Sequence, residues 1–125
     1  TRAHCSNILI KRMLRMTVNE LLTVGGFTAL TLPDPDREIK GVYIGDLLSW
    51  VMGRAKCDDA WITIMSNINT VAVATLADTA CIILAESVVP QEDVLKTAES
   101  RGVNVLSSEL SAYGIAKMLA EKLGI

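Results

Sequence analysis

Four polar positions follow directly on apolar runs in this chain. They are Gly45-Asp46 after Ile39–Ile44, Ser66-Asn67 (with Asn69) after Ala60–Met65, Glu86-Ser87 after Ala80–Ala85, and Ser107-Ser108 after Val103–Leu106. If the runs are strands of one parallel sheet, their carboxyl ends share a rim, the place where α/β proteins bind ligands. Three of the four also precede expected helix starts, where free backbone N–H groups and the helix dipole favour an anion. The expected ligand is therefore a phosphate or a carboxylate, with Asp46, Ser66, Asn67, Asn69, Glu86 and Ser107 as candidate contacts. The same residue types are ordinary helix N-caps, so capping competes with binding at every one of these positions. Asn67 and Asn69 stand out, because two amides two residues apart exceed what one cap requires.

Covalent and acid–base chemistry finds little to work with. His4 is the only histidine, so the serines lack a histidine partner, and no GxSxG elbow occurs. A carboxylate pair for hydrolysis would have to be Asp46 with Glu86, joined only by the shared rim. Gly41 and Gly45 form neither GxGxxG nor a P-loop. Asp58-Asp59 reads as a solvated turn or, less simply, a metal pair. Arg54 and Lys56 lie where they complement the negative end of a helix or reach a phosphate. No metal or cofactor is expected.

Half of the 125 residues are hydrophobic but only 4% are aromatic, so the core is built from Val, Ile, Leu, Ala and Met. That mix suits Ala-rich helices lying on branched strands. A net charge of −2 gives no general attraction to nucleic acid or membrane. Four cations, Arg2, Lys11, Arg12 and Arg15, fall in the first fifteen residues without an acid. Residues 1–15 read as a leader or an expression-derived extension, with Cys5–Ile10 able to add an edge strand, and residues 16–125 as the domain. Three widely spaced cysteines, with no CxxC pair, argue against disulfides or zinc and for a reducing, cytoplasmic setting. No apolar run is long enough for a membrane-spanning helix.

The elements that would position the rim can be read in order. Thr17 and Glu20 form a capping box for a helix Val18–Thr23, stopped by Gly25-Gly26. Phe27–Leu32 reads as a strand, ended by Pro33 and Pro35. From Ile39 onward, strands alternate with helices: Ile39–Ile44, Leu47–Gly53 capped by Asp46, Ala60–Met65, Asn69–Asp78, Ala80–Ala85 and Gln91–Arg101 with Pro90 in its first turn. Gly102, Val103–Leu106 and Glu109–Leu123, capped by Ser107-Ser108, complete the series. This predicts a single α/β domain with a mostly parallel sheet of about five strands flanked by helices. Cys81 and Trp61 fall in buried strands. Trp50 and Met52, on a helix, are candidates for contact with a second subunit.

The residues Asp36-Arg37, Gly41 and Gly45-Asp46-Leu47-Leu48-Ser49, with AWITIMSNIN and ACIILAE further on, resemble the DRTGG domain family. That module is related to the N-terminal domain of HPr kinase/phosphorylase. The resemblance spans about residues 16–123. Glu38, Ile39 and Lys40 stand where the family name would put Thr, Gly and Gly. Members occur beside CBS domains and in phosphotransacetylase-like proteins. The resemblance thus implies an α/β fold like the N-terminal domains of Mur ligases and HPr kinase, a regulatory role, and self-association. Asp36, Arg37, Gly41 and Gly45 are its motif residues.

Three functional readings follow. The first is a stand-alone, non-enzymatic module that forms a homodimer and senses a small anionic metabolite or nucleotide. The second is a ligand-free interaction subunit docking a partner enzyme through Trp50 and Met52. The third, with the weakest support, is a small hydrolase or kinase-like enzyme using Asp46 and Glu86. No nucleic-acid or membrane partner is expected.

Overall fold

The first described residues already tie the chain to a later segment. The structure, a computed structural model, describes residues 16–125; the readings of residues 1–15, including His4 and the Cys5–Ile10 strand, lie outside the described residues. Ile39 N–H donates to the Met16 carbonyl at 2.8 Å, and Thr17 bridges Glu38 in antiparallel sense. Helix α1, Val18–Thr23, starts here as expected. The Thr17 hydroxyl accepts from Glu20 N–H at 3.1 Å and meets the Glu20 carboxylate at 3.2 Å.

Five strands follow in one sheet: β1 (Thr28–Thr31), β2 (Gly41–Ile44), β3 (Asp59–Thr63), β4 (Cys81–Leu84) and β5 (Val105–Ser107). Their spatial order is β1-β5-β4-β3-β2, with β1 antiparallel to β5 and every other pair parallel. Four more helices complete the domain: α2 (Leu48–Arg54), α3 (Ile68–Ala77), α4 (Glu92–Ser100) and α5 (Ala112–Leu123). The mostly parallel, helix-flanked sheet is the one the sequence predicts.

Side chains alternate across the sheet and feed two cores. Ala60, Ile62, Cys81, Ile83 and Leu106 pack with α1 and α5 residues such as Leu21, Ile115 and Leu119. Trp61, Ile82, Leu84 and Val105 pack on the other face with Val51, Val71 and Val94 of α2, α3 and α4. This is why β3 and β4 are apolar without a break: both faces are covered.

The winding matters for function. From β2 to β5 every parallel step moves the same way across the sheet. The strand order never reverses between parallel neighbours, so no switch-point crevice opens at the rim. A binding cleft must instead come from a gap between adjacent helices.

Several local expectations need correction. Asp46 does not cap α2, whose N-cap is Leu47 and lacks a side-chain bond. Ser107 is the last residue of β5, and Ser108 bonds Leu110 N–H at 3.1 Å. The cap of α5 is Ser111, accepting from Gly114 N–H at 3.1 Å. Pro90 precedes the N-cap Gln91 rather than entering α4, and Arg54 lies inside α2. Gly102, at φ +74°, does follow α4 in the left-handed conformation.

Candidate functional site

Sheet register places the candidate residues along one edge. Ile44 pairs with Ile62, Thr63 with Leu84, and Leu84 with Ser107. Asp46, Ser66-Asn67, Glu86 and Ser107 therefore do follow strand ends on a common rim. Neighbouring strands are roughly 4.8 Å apart, so the ends of β2 and β5 are separated by roughly 14 Å. One small metabolite does not reach from Asp46 to Ser107, and the six candidates divide into local groups.

Each group has structural duties. Asp46 Oδ1 accepts from the Thr63 hydroxyl at 2.8 Å and from Ile64 N–H at 3.1 Å, closing the end of β3. Asn67 is the N-cap of α3, its Oδ1 accepting from Asn69 N–H at 2.9 Å and Thr70 N–H at 3.2 Å. Asn69 is exposed, and its side-chain amide makes no hydrogen bond among the described residues. Glu86 and Ser87 both adopt positive φ, 58° and 62°. Backbone bonds hold that tight turn, from Glu86 N–H to Leu110 and from Ser87 N–H to Ser108, at 2.9 and 2.8 Å.

The rim has one cleft of interest, between α3 and α4 over β4 and β5. Its free volume is about 10 Å³, room for about one water, and it opens to solvent, with Ser66, Asn67 and Thr70 among its lining residues. Thr70 did not figure among the residues read from the sequence. Its Oγ is screened from solvent and has no hydrogen-bond partner among the described residues. A threonine inside an Ala-rich helix carries no sequence signal of that kind.

The motif residues Asp36, Arg37 and Gly41 sit at the opposite end of the sheet, while Gly45 follows β2 onto the rim. Arg37 Nε donates to Asp58 Oδ1 at 2.8 Å, and Arg37 Nη2 reaches Asp78 Oδ1 at 3.0 Å and the Asp78 carbonyl at 2.7 Å. Lys40 adds a longer pair to Asp58 at 3.7 Å. Asp58 and Asp78 both have positive φ, 68° and 57°. Arg37 thus pins two left-handed corners, one before β3 and one after α3. Asp58-Asp59 is not a solvated acid pair: Asp58 binds cations, while Asp59 is buried in β3 and accepts from Lys56 N–H at 2.7 Å.

The charges follow this geometry. Bonds from Cys57 and then Arg37 hold the Asp78 carboxyl below the usual carboxylate range. Partial burial opposes the Arg37 charge, but its bonds to Asp58 and Asp78 more than offset this and raise its pKa. Desolvation, reinforced by the bond to Asp78, pushes the Cys57 thiol up. Full burial pushes Cys81 up to about 12, as suits a core residue. Among the described residues, no group of three or more His, Cys, Asp or Glu is placed to hold a metal ion.

The remaining candidates shape surfaces and corners. A Cβ at Gly45 would lie 2.9 Å from the Tyr43 ring, so a larger residue there requires that half-buried side chain to shift. The Gly45 carbonyl accepts from Trp61 Nε1 at 2.9 Å, and Trp61 is fully buried. Gly41 opens β2 beside Asp59, and Asp36 is exposed in the preceding turn. Trp50 and Met52 are 53% and 49% exposed, with Leu47 and Ile44 also exposed nearby in sequence. Arg54 stacks over the Trp50 ring at 3.8 Å.

The DRTGG domain profile matches residues 35–122. The chain belongs to the DRTGG domain family. Among solved structures it is similar to the CBS and DRTGG domains of the regulatory region of Clostridium perfringens pyrophosphatase, a crystal structure in complex with the activator diadenosine tetraphosphate. The TM-score is 0.64 at 13% identity, over 84% of this chain and 46% of that one. The chain therefore spans under half the length of that relative, and the likeness is one of fold. No curated protein matches the chain. Among the described residues, no helix is long and apolar enough to cross a membrane.

Proposed function

We propose that this chain is a non-enzymatic regulatory module that binds a small anionic metabolite or nucleotide at its C-terminal rim and passes the signal on through self-association. The observation that carries this reading is the group around the start of α3. Ser66, Asn67 and the unpartnered Thr70 hydroxyl line one cleft, with the exposed Asn69 amide on the same helical turn. Family membership and the nucleotide activator held by the pyrophosphatase regulatory region support a sensing role. The Asp46–Glu86 pair gives little support to hydrolysis: the two follow strands β2 and β4, which flank β3, and one Asp46 oxygen is engaged at Thr63.

A thermal-unfolding panel of nucleotides, phosphorylated metabolites and simple anions tests the reading. A ligand at about 100 times its Kd raises stability by roughly 2.7 kcal/mol. Asn69→Ala is the cleaner probe of the site, since Asn67→Ala also removes a cap and costs about 1 kcal/mol. Asn69→Ala should weaken binding and shift stability by no more than about 0.5 kcal/mol. Unchanged binding in that variant removes Asn69 from the site, and a flat panel for the wild-type chain sinks the sensor reading.

A second reading has its own observation. Leu47, Trp50 and Met52 are each exposed on or beside α2, with Trp50 and Leu47 three positions apart on one side of it. An interaction subunit would dock a partner enzyme there, and a homodimer would use the same surface. Trp50→Ala should leave the melting temperature within a degree or two, being a surface change. Sedimentation that shows the same subunit number before and after would remove Trp50 from any self-association surface.

A further inference from the structure

We propose that the outer edge of β2 is an interaction surface whose occupant is β2 of a second copy of this chain, paired antiparallel about a two-fold axis at Tyr43. This rests on the self-association part of the reading above and is independent of any ligand at the rim.

The two edges of the sheet differ. β1 and β2 are the outer strands, and both are four residues long. The β1 edge is blunted: its register with β5 shifts between Ala29 and Thr31, and Pro33 and Pro35 follow. β2, Gly41-Val42-Tyr43-Ile44, carries no charge and no proline, and its register with β3 is unbroken. Among the described residues no strand covers its outer side, and the Thr17–Glu38 bridge stops short of its first residue. An edge left in that state is a template for another strand.

The ladder with β3 shows which groups the template offers. Gly45 N–H donates to the Ile62 carbonyl at 3.2 Å, in a register that sets Ile44 beside Ile62. Alternate residues of a strand address opposite neighbours, so Tyr43 and Gly45 serve β3. Val42 and Ile44 therefore turn their N–H and C=O groups outward. Val42 is half-buried and Ile44 is 50% exposed.

A second copy matches these groups. A two-fold axis through Tyr43 sets Val42 opposite the partner's Ile44, and each such pair exchanges both of its backbone bonds. Other centres satisfy fewer groups. An axis at Val42 sets Ile44 opposite Lys40, whose N–H is already given to the Asp58 carbonyl at 2.9 Å. An axis at Ile44 sets Val42 opposite Asp46, past the end of the strand.

Charge agrees with the Tyr43 register, which sets Lys40 opposite the partner's Asp46 at both ends of the pairing. The Lys40 side chain is exposed and makes only the 3.7 Å pair to Asp58. Asp46 uses Oδ1 at Thr63 and Ile64, and its Oδ2 has no partner among the described residues. Opposite charges across a strand pair support it, and like charges oppose it. Tyr43, on the axis, packs on the α2 face with the core around Val51, so the two tyrosines meet there as a cross-strand aromatic pair. A standard interface removes about 800 Å² from each partner, and one four-residue strand with its flanking side chains offers less. The expected dimer is micromolar rather than nanomolar.

The test is sedimentation of the full chain across the micromolar range, with hydrogen exchange of the Val42 and Ile44 amides at both ends of the series. The dimer should form within that range, and both amides should become protected as it forms. Ile44→Pro removes an outward donor without removing a bond to β3, and should weaken the dimer at least about tenfold. The register has its own readout. Residues on the axis of an antiparallel pair lie within disulfide reach, while the two Ile44 positions lie diagonally apart. Under mild oxidation Tyr43→Cys should cross-link at least about tenfold faster than Ile44→Cys or the wild type, whose Cys57 is exposed. Neither the exchange nor the cross-link needs Ile44→Pro to fold.

Each failure has a distinct meaning. A chain that stays monomeric throughout ends this assignment and the self-association reading together, and leaves the rim ligand to its own panel. A dimer whose Val42 and Ile44 amides stay unprotected keeps self-association and moves it to another surface. Protection that does not change with concentration would mean that the edge is covered from within the chain, by residues 1–15, and not by a second copy. Equal cross-linking of Tyr43→Cys and Ile44→Cys would overturn the register.

Discussion

Trp61→Ala should lower the unfolding free energy by about 3–5 kcal/mol, the range for truncating a large buried aromatic. Trp61 is fully buried on β3 and belongs to the core formed with Val51, Ile82 and Val94. Two losses combine. The ring leaves a cavity that rigid neighbours on β2 and β4 cannot fill, since both strands are held in register with β3. The indole N–H also leaves the Gly45 carbonyl, 2.9 Å away, without its donor. Trp61→Phe separates the two. It keeps most of the packing and removes the bond, so about 1–2 kcal/mol should be lost. Urea unfolding followed by circular dichroism measures both. A loss below about 1 kcal/mol for the alanine variant would mean the core collapses around the gap. The functional consequence follows from sequence adjacency: Gly45 precedes Asp46, whose carboxylate closes β3 at Thr63. Loosening that corner should disturb the rim on the β2 side before the cleft between α3 and α4.

How far the sequence reveals this structure depends on whether a feature is local. Helix α1 was legible to the residue, because its cap, Thr17, and its Gly25-Gly26 stop lie within the segment itself. Strands β3 and β4 were legible because burial on both faces leaves an unbroken apolar run. Asp46 was misread for an instructive reason. A carboxylate before a helix looks like a cap, and only the tertiary structure brings Thr63, 17 positions on, within reach of it. Ser107-Ser108 failed similarly, because a second serine, Ser111, stood closer to the true start of α5. The antiparallel placement of β1 beside β5 depends on a pairing across more than seventy residues, which no local pattern encodes. The same holds for Arg37, whose partners Asp58 and Asp78 lie 21 and 41 positions away. Of the candidate site, Ser66 and Asn67 were visible as polar residues after a strand. The Thr70 hydroxyl was not, since its isolation arises from the sideways packing of α3 against α4.

Asn104→Ala is the second change with a large expected effect, about 2–4 kcal/mol, and it concerns the end of the sheet that carries Arg37. Asn104 is 1% exposed just before β5. Its Oδ1 accepts from Asp34 N–H at 2.9 Å, and its Nδ2 donates to the Asp34 carbonyl at 2.7 Å and the Ala80 carbonyl at 3.1 Å. One side chain therefore satisfies three backbone groups and ties the Pro33–Pro35 loop to the start of β4. Alanine removes all three bonds, and buried Ala80 loses that partner at its carbonyl. The loop matters beyond stability, since its next residues carry Arg37 and receive α1: Asn19 N–H donates to the Pro35 carbonyl and Val18 N–H to the Arg37 carbonyl, both at 2.9 Å. The expected pattern is a large fall in urea midpoint at an unchanged m-value, because the lost bonds belong to the folded state. A midpoint shift worth less than about 1 kcal/mol would mean that water takes up the three backbone groups Asn104 leaves behind.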